Sequence, residues 1–135
     1  MKVVTDSNRV IAAIVKESTT REILFKRNFE FVAPDFIKTE IHKHRDEIIR
    51  KANISEEEFE LLLALLFERI EIIPESDYEE FARKLKNEIK DPNDIPYLAV
   101  VLSTRAEGVW THDPGFKEQQ KVRIFTNIDM LRSFR

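Results

Sequence analysis

Lys90-Asp91-Pro92-Asn93-Asp94-Ile95-Pro96-Tyr97-Leu98-Ala99-Val100-Val101-Leu102, followed closely by Gly108-Val109-Trp110-Thr111-His112-Asp113, decides how the chain is read. Proline has no backbone N–H, so within a helix it is at home only in the first turn. Pro96 therefore fixes a helix start. Asn93 is predicted at the N-cap and Asp94 in the first turn, where the positive end of the helix dipole favours a carboxylate. Leu98, Val101 and Leu102 supply apolar positions at helical spacing. Val109-Trp110-Thr111 then reads as a strand that delivers Asp113, and Pro114-Gly115 turns the chain away. In an open α/β sheet ligands gather at the carboxyl ends of strands, and Asp113 is expected at such an end.

Upstream, Val3-Val4-Thr5 reads as a strand, ended by Asp6-Ser7-Asn8 and followed by a helix from Arg9 to Val15. Thr19 and Glu22 have capping-box spacing and open a helix through Phe25. Phe29 to Ala33 is a strand stopped by Pro34. From Asp35 a single helix is predicted, with Ile37, Ile41, His44 and Ile48 on one face and Glu40 beside that face. Ser55 and Glu58 form a second capping box, opening a helix from Phe59 to Phe67. That segment is leucine-rich on almost every side, so it is either enclosed or an interface. Ile70 to Ile73 is a strand ended by Pro74, and Ser76 with Glu79 opens the helix carrying Phe81, Ala82, Leu85 and Ile89. Downstream, Lys121 to Phe125 reads as the last strand, and Asn127 caps a short terminal helix. Strands alternating with helices imply an α/β protein, a three-layer sandwich with a central parallel sheet of about five short strands flanked by helices. No repeat or linker interrupts the pattern, so one domain over residues 1–135 is expected.

Composition narrows the function classes. Cysteine is absent, which excludes a disulfide framework and thiolate metal sites. No apolar run approaches the ~20 residues needed to span a bilayer, and Met1-Lys2-Val3 leads directly into a strand rather than a signal peptide. The expectation is a cytoplasmic protein with no membrane partner. A net charge of −3 gives no global attraction to nucleic acid, so any such contact needs a local basic patch. Lys38, Lys43 and Arg45 beside Glu40, and Lys117, Lys121 and Arg123 after Asp113, are the candidates, although they equally describe the solvated face of a Lys/Glu-rich chain.

Asp6, Glu40, Asp94 and Asp113 stand apart from the other acids. Two follow strands and two lie near helix starts, so one end of the sheet could gather all four. Taken singly, Asp6 serves as a helix cap, Asp94 as a helix-terminus residue, Asp113 as a turn former and Glu40 as one more helix glutamate. Taken together, they form an oxygen-only set that repels itself unless a cation intervenes, a composition suited to Mg²⁺ or Mn²⁺. Such an ion polarises a phosphoryl oxygen and lowers the pKa of a bound water, which makes phosphodiester hydrolysis the natural chemistry. Asp91 competes with Asp94 for the third place but is read as a turn residue. His42 and His44 are two apart on a helix and cannot share one zinc.

The order and context of these acids resemble the PIN domain family of metal-dependent nucleases. Asp6, in Val3-Val4-Thr5-Asp6-Ser7-Asn8, is similar to that family's first acid, and Glu40 to its second. Asp94, followed by an apolar helix with Ala99 five residues on, resembles the third. Asp113 resembles the fourth, in Thr111-His112-Asp113-Pro114-Gly115-Phe116, like the family's Thr-x-Asp-x-x-Phe. The resemblance implies an endoribonuclease that takes Mg²⁺ or Mn²⁺ on these four acids, with Asn8, Thr111 and His112 in support or touching substrate. It also implies an RNA substrate, a homodimer, and the role of toxin neutralised by a small antitoxin protein. Two departures stand out. Gly115 occupies the place of a further acid found in many members, which points to one well-held ion. His112 replaces a small polar residue. Gly115 also sustains the alternative of a weak or inactive PIN-like module serving protein assembly. A phosphohydrolase with Asp6 as nucleophile ranks last, because that chemistry wants a second Asp where this chain has Asn8.

Overall fold

Residues 1–15 and 18–132 are described by the computed structural model. Five strands, β1 (Lys2–Thr5), β2 (Glu30–Pro34), β3 (Ile70–Ile73), β4 (Val109–Trp110) and β5 (Ile124–Phe125), form one sheet in the order β3-β2-β1-β4-β5. Every pairing is parallel, with Val3 opposite Phe31, Val4 opposite Val109 and Val109 opposite Ile124. Parallel strands buried on both faces read as continuous apolar runs rather than alternating ones, and Val3, Val4, Phe31, Val32 and Trp110 are all buried. The chain builds outward from β1 to β2 and β3, then returns to add β4 on the other side of β1. The sheet therefore reverses its winding between β1 and β4, the position where such sheets hold ligands.

Eight α-helices flank the sheet among the described residues: α1 (Ser7–Val15), α2 (Ser18–Leu24), α3 (Phe36–Lys43), α4 (Arg45–Ala52), α5 (Glu56–Phe67), α6 (Glu75–Leu85), α7 (Ile95–Thr104) and α8 (Asn127–Arg132). No helix among them is long and apolar enough to cross a membrane. The α/β sandwich with a parallel sheet is as the strand–helix alternation predicted. α7 is buried along nearly its whole length and packs across β1, β2 and β4 on one side and α6 on the other. Gly108, just before β4, faces the carbonyl oxygen of Arg123. A Cβ there would lie 2.4 Å from that oxygen, so only glycine lets the backbones approach as they do.

Several local expectations are corrected. The single helix from Asp35 breaks at His44, whose backbone (φ −103°, ψ 11°) ends α3 and starts α4. Thr19 lies inside α2 rather than at its cap. α6 begins at Glu75 with Pro74 ahead of it, so Ser76 and Glu79 form no cap. Instead the Asp35 carboxylate accepts the Glu75 N–H at 3.1 Å and the Tyr78 hydroxyl at 2.7 Å. A side chain from a distant element has replaced the local cap. The last strand is only Ile124–Phe125, because Gln119 has taken the backbone of Val122: its side-chain oxygen accepts the Val122 N–H at 2.8 Å and its amide donates to the Val122 carbonyl at 2.9 Å. The leucine-rich helix is not enclosed. α5 buries Phe59, Leu63 and Leu66, while Leu61 and Leu65 are exposed.

Candidate active site

β1 ends at Thr5, and Asp6 follows immediately, buried at the start of α1. One Asp6 oxygen accepts the Arg9 backbone N–H at 2.9 Å, so this residue does cap α1. The other accepts the hydroxyl of Thr111, which follows β4. The Thr111 hydroxyl also accepts the Asp113 N–H at 3.0 Å, and an Asp113 oxygen accepts the Gly115 N–H at 2.9 Å. Neighbouring strands β1 and β4 are thereby linked at their carboxyl ends through Asp6, Thr111 and Asp113. The Thr111 hydroxyl thus contacts the Asp6 side chain and the Asp113 backbone at once.

Asp94 occupies the N-cap position of α7, not its first turn, and Asn93 lies one residue outside. The reason is Asp91, whose carboxylate accepts the Asn93 N–H at 2.9 Å and shapes the turn into the helix. Asp94 itself has helical backbone angles (φ −81°, ψ −24°) and makes no capping bond. Capping needs an extended backbone at that position, so the Asp94 carboxylate is left to face the cavity.

Glu40, half-buried on α3, completes the set. It accepts a hydrogen bond from the Tyr97 hydroxyl on α7. A cavity of about 100 Å³ is lined by Asp6, Glu40, Asp94 and Asp113, together with Asp91, Ser7, Asn8, Asn93, Tyr97 and Phe116. Beside it, a cavity of about 320 Å³ shares Asp91, Asp94 and Asp113 and is lined by Gly115, Leu98 and Gln119. A Cβ on Gly115 would stand 3.2 Å from an Asp113 oxygen and 3.5 Å from an Asp94 oxygen. Position 115 is thus at the acid cluster, and glycine leaves it open. A larger cavity of about 750 Å³ lies between α3, α6 and the start of α7, but its Asp35 and Tyr78 already bond each other. The four acids are at the smallest of the three.

Electrostatics mark the same place. Burial lifts Asp94 from the ordinary carboxyl range to about 7, and the charges of Asp91, Asp113, Asp6 and Glu40 add to the shift. Burial likewise lifts Asp6 to about 6, against the lowering effect of the Thr111 and Arg9 hydrogen bonds and the Arg9 charge. No Lys or Arg among the described residues lines the 100 Å³ cavity. Four of the six proposed basic contacts are engaged elsewhere: Arg45 pairs with Glu56 and Glu60, Lys121 with Glu88, Lys38 lies over the Phe67 ring and Arg123 over Phe125. His112 is also employed locally, its Nε2 accepting the Asn127 N–H at 3.0 Å at the start of α8, whereas Asn8 is exposed on the cavity wall.

As the side chains stand, no three His, Asp or Glu groups among the described residues are drawn together tightly enough to grip an ion. Asp6, Glu40 and Asp113 are each engaged by protein donors. The donor chemistry nevertheless fits a hard divalent cation: the available donors are carboxylate oxygens, and the charges of Asp91, Asp113, Asp6 and Glu40 add to the burial that raises Asp94. Sequence reasoning missed Tyr97 and Ser7. A tyrosine in an otherwise aliphatic helix start was the available signal, since a buried phenol requires a polar partner.

No curated protein matches the chain. Among solved structures, that of VapBC2 from Rickettsia felis, bound to a DNA fragment from their promoter, is similar in fold. The match has a TM-score of 0.68 at 19% identity, over 93% of this chain and 98% of that one. The PIN domain model matches residues 4–124, a span that starts in β1, ends in β5 and encloses all four acids. On that match the chain belongs to the PIN domain family, whose members are generally divalent-metal-dependent nucleases.

Proposed function

We propose that this protein is a metal-dependent endoribonuclease, hydrolysing RNA phosphodiester bonds with Mg²⁺ or Mn²⁺ held by Asp6, Glu40, Asp94 and Asp113. The observation that carries the reading is the convergence of these acids, with no lining cation, at the point where the sheet reverses its winding. A phosphodiester is itself an anion, and a cavity whose only charged lining groups are carboxylates repels it unless a bound metal inverts the local charge. The ion would supply Lewis-acid polarisation of the phosphoryl oxygen and lower the pKa of a bound water. The chain supplies the rest. Thr111 and the Arg9 N–H hold Asp6 in place, Asp94 brings a carboxylate not used for capping, and Asn8 offers an amide at the rim. With Gly115 contributing no carboxylate, we assign one well-held ion rather than two.

The likeness to a VapBC structure supports a toxin role with a small antitoxin partner. Leu61 and Leu65, exposed on α5, support a homodimer paired through that helix. In sedimentation, Leu65→Glu is expected to yield folded monomers, and a parent already monomeric at high concentration rejects the pairing. The activity test incubates the protein with labelled single-stranded RNA and DNA in Mn²⁺, Mg²⁺ or EDTA. Cleavage of RNA that EDTA abolishes and Asp94→Asn lacks is expected. Cleavage of DNA alone, or of neither, overturns the reading.

A further inference from the structure

Glu40 is the acid with the weakest claim on the site by sequence, since helix glutamates abound in this chain. Its surroundings single it out. The Tyr97 hydroxyl donates to Oε1 of Glu40 across the gap between α7 and α3, and Ser7, at the start of α1, lines the same cavity as Tyr97. Tyr97 and Ser7 are both buried. The Tyr97 ring is clamped edge-on by Phe36 on one side and Phe116 on the other, each at 6.4 Å between centroids. A phenol fixed in this way has one proton to give, and it goes to Glu40.

We infer that Tyr97 is a positioning residue for the metal site, directing Glu40 through its hydroxyl so that one carboxylate oxygen is held and the other is presented to the cation. This rests on the metal-site reading above. A glutamate on a half-buried helix face otherwise samples several rotamers, and ordering it on binding opposes affinity. A hydrogen bond already made removes that cost, as outer-shell partners of metal ligands do generally. The same contact ties the helix bearing Asp94 to the helix bearing Glu40, so two acids from distant parts of the chain keep their separation.

Tyr97→Phe tests this, because it deletes the hydroxyl and keeps the ring between Phe36 and Phe116. Mn²⁺ affinity is measured by calorimetry on parent, Tyr97→Phe, Glu40→Ala and the double variant, alongside melting of the four proteins in EDTA. The variant is expected to bind Mn²⁺ about tenfold more weakly. Its cleavage half-saturates at correspondingly higher Mn²⁺, and the loss is recovered as Mn²⁺ is raised. In the Glu40→Ala background, Tyr97→Phe should weaken Mn²⁺ no further, and its melting shift in EDTA should be smaller than in the parent. Equal Mn²⁺ affinity of parent and Tyr97→Phe overturns the inference and leaves the four-acid reading standing. Additive melting shifts overturn the Tyr97–Glu40 pairing itself. A parent that takes up no Mn²⁺ overturns the site reading and this inference together.

Discussion

The helices α5 and α7 begin in opposite ways. At α5, Ser55 has an extended backbone (φ −79°, ψ 166°), its hydroxyl accepts the Glu58 N–H at 3.0 Å, and the Glu58 carboxylate accepts the Ser55 N–H in return at 3.1 Å. Glu56, Glu57 and Glu58 then face the positive end of the helix dipole. At α7 the N-cap residue is also one of the favoured types, an aspartate, yet its helical backbone angles keep its side chain from capping. The turn is held by Asp91 instead. The acids of α5 are exposed and serve the helix. Asp94 is buried among like charges and does not. The difference teaches that residue type alone does not decide capping, because the backbone angles at the N-cap position do.

The sharpest way to break the comparison is to neutralise each helix start and measure cleavage. Asp94→Asn is expected to abolish Mn²⁺-dependent RNA cleavage while the far-UV spectrum stays that of the parent; Asp6→Asn and Asp113→Asn should do the same. Ser55→Ala should cleave like the parent. An active Asp94→Asn beside an inactive Asp91→Asn would show that the third acid had been misassigned.

Stability gives the next effect. The Asp94 carboxyl titrates near 7 when folded and at the ordinary 3.8 when unfolded, so between those values the folded state holds the extra proton. The destabilisation is absent below about pH 4, grows as pH rises through the window, and is complete above about pH 7. In EDTA at pH 8, Asp94→Asn should therefore be more stable than the parent, on the order of 2 kcal/mol after allowance for screening, and the gain should vanish at pH 4. Added Mn²⁺ should stabilise the parent more than the variant. Melting curves across this pH range, with EDTA or Mn²⁺, would contradict the site if the variant is the less stable at pH 8. Ser55→Ala moves the other way by about 1 kcal/mol, a fall of roughly 4 °C at every pH, with an unaltered response to Mn²⁺. Asp91→Asn has the smallest effect, within about 0.5 kcal/mol, because asparagine retains the oxygen that accepts the Asn93 N–H. A large loss there would mean that Asp91 does more than shape the turn.

The parallel sheet and the placement of Asp6, Asp94 and Asp113 at strand ends and a helix start were legible in the sequence because both depend on local pattern. Apolar runs cut by Pro and Asp mark the strands, and winding order brings Asp6 and Asp113 to adjacent strand ends. Ser55 and Glu58 were legible because a capping box is contained within four residues. What escaped depends on partners remote in sequence. Asp35 caps α6 from 40 residues away, Gln119 takes the backbone that would have extended β5, and His112 holds the start of α8. Glu40 is informative only once Tyr97, 57 residues later, lies against it. The break at His44 has no breaker residue to announce it.

β1 is paired along both edges. The Val4 N–H is bonded to the Gly108 carbonyl, the Asp6 N–H to the Trp110 carbonyl, and the strand is flanked by β2 on its other side. In the language of amide exchange, this is where protons should persist longest, opening only with the whole molecule. The exposed turn at Asp91–Asn93 and the 3-10 segment Pro114–Glu118 lack ladder protection and should exchange by local opening. Asp6 and Thr111 therefore belong to the slow-exchanging frame, while Asp94 and Asp113 border quicker segments. Added Mn²⁺ should slow exchange at residues 91–95 and 113–118 and leave β1 unchanged, so that the ion closes the site from one side onto a fixed anvil.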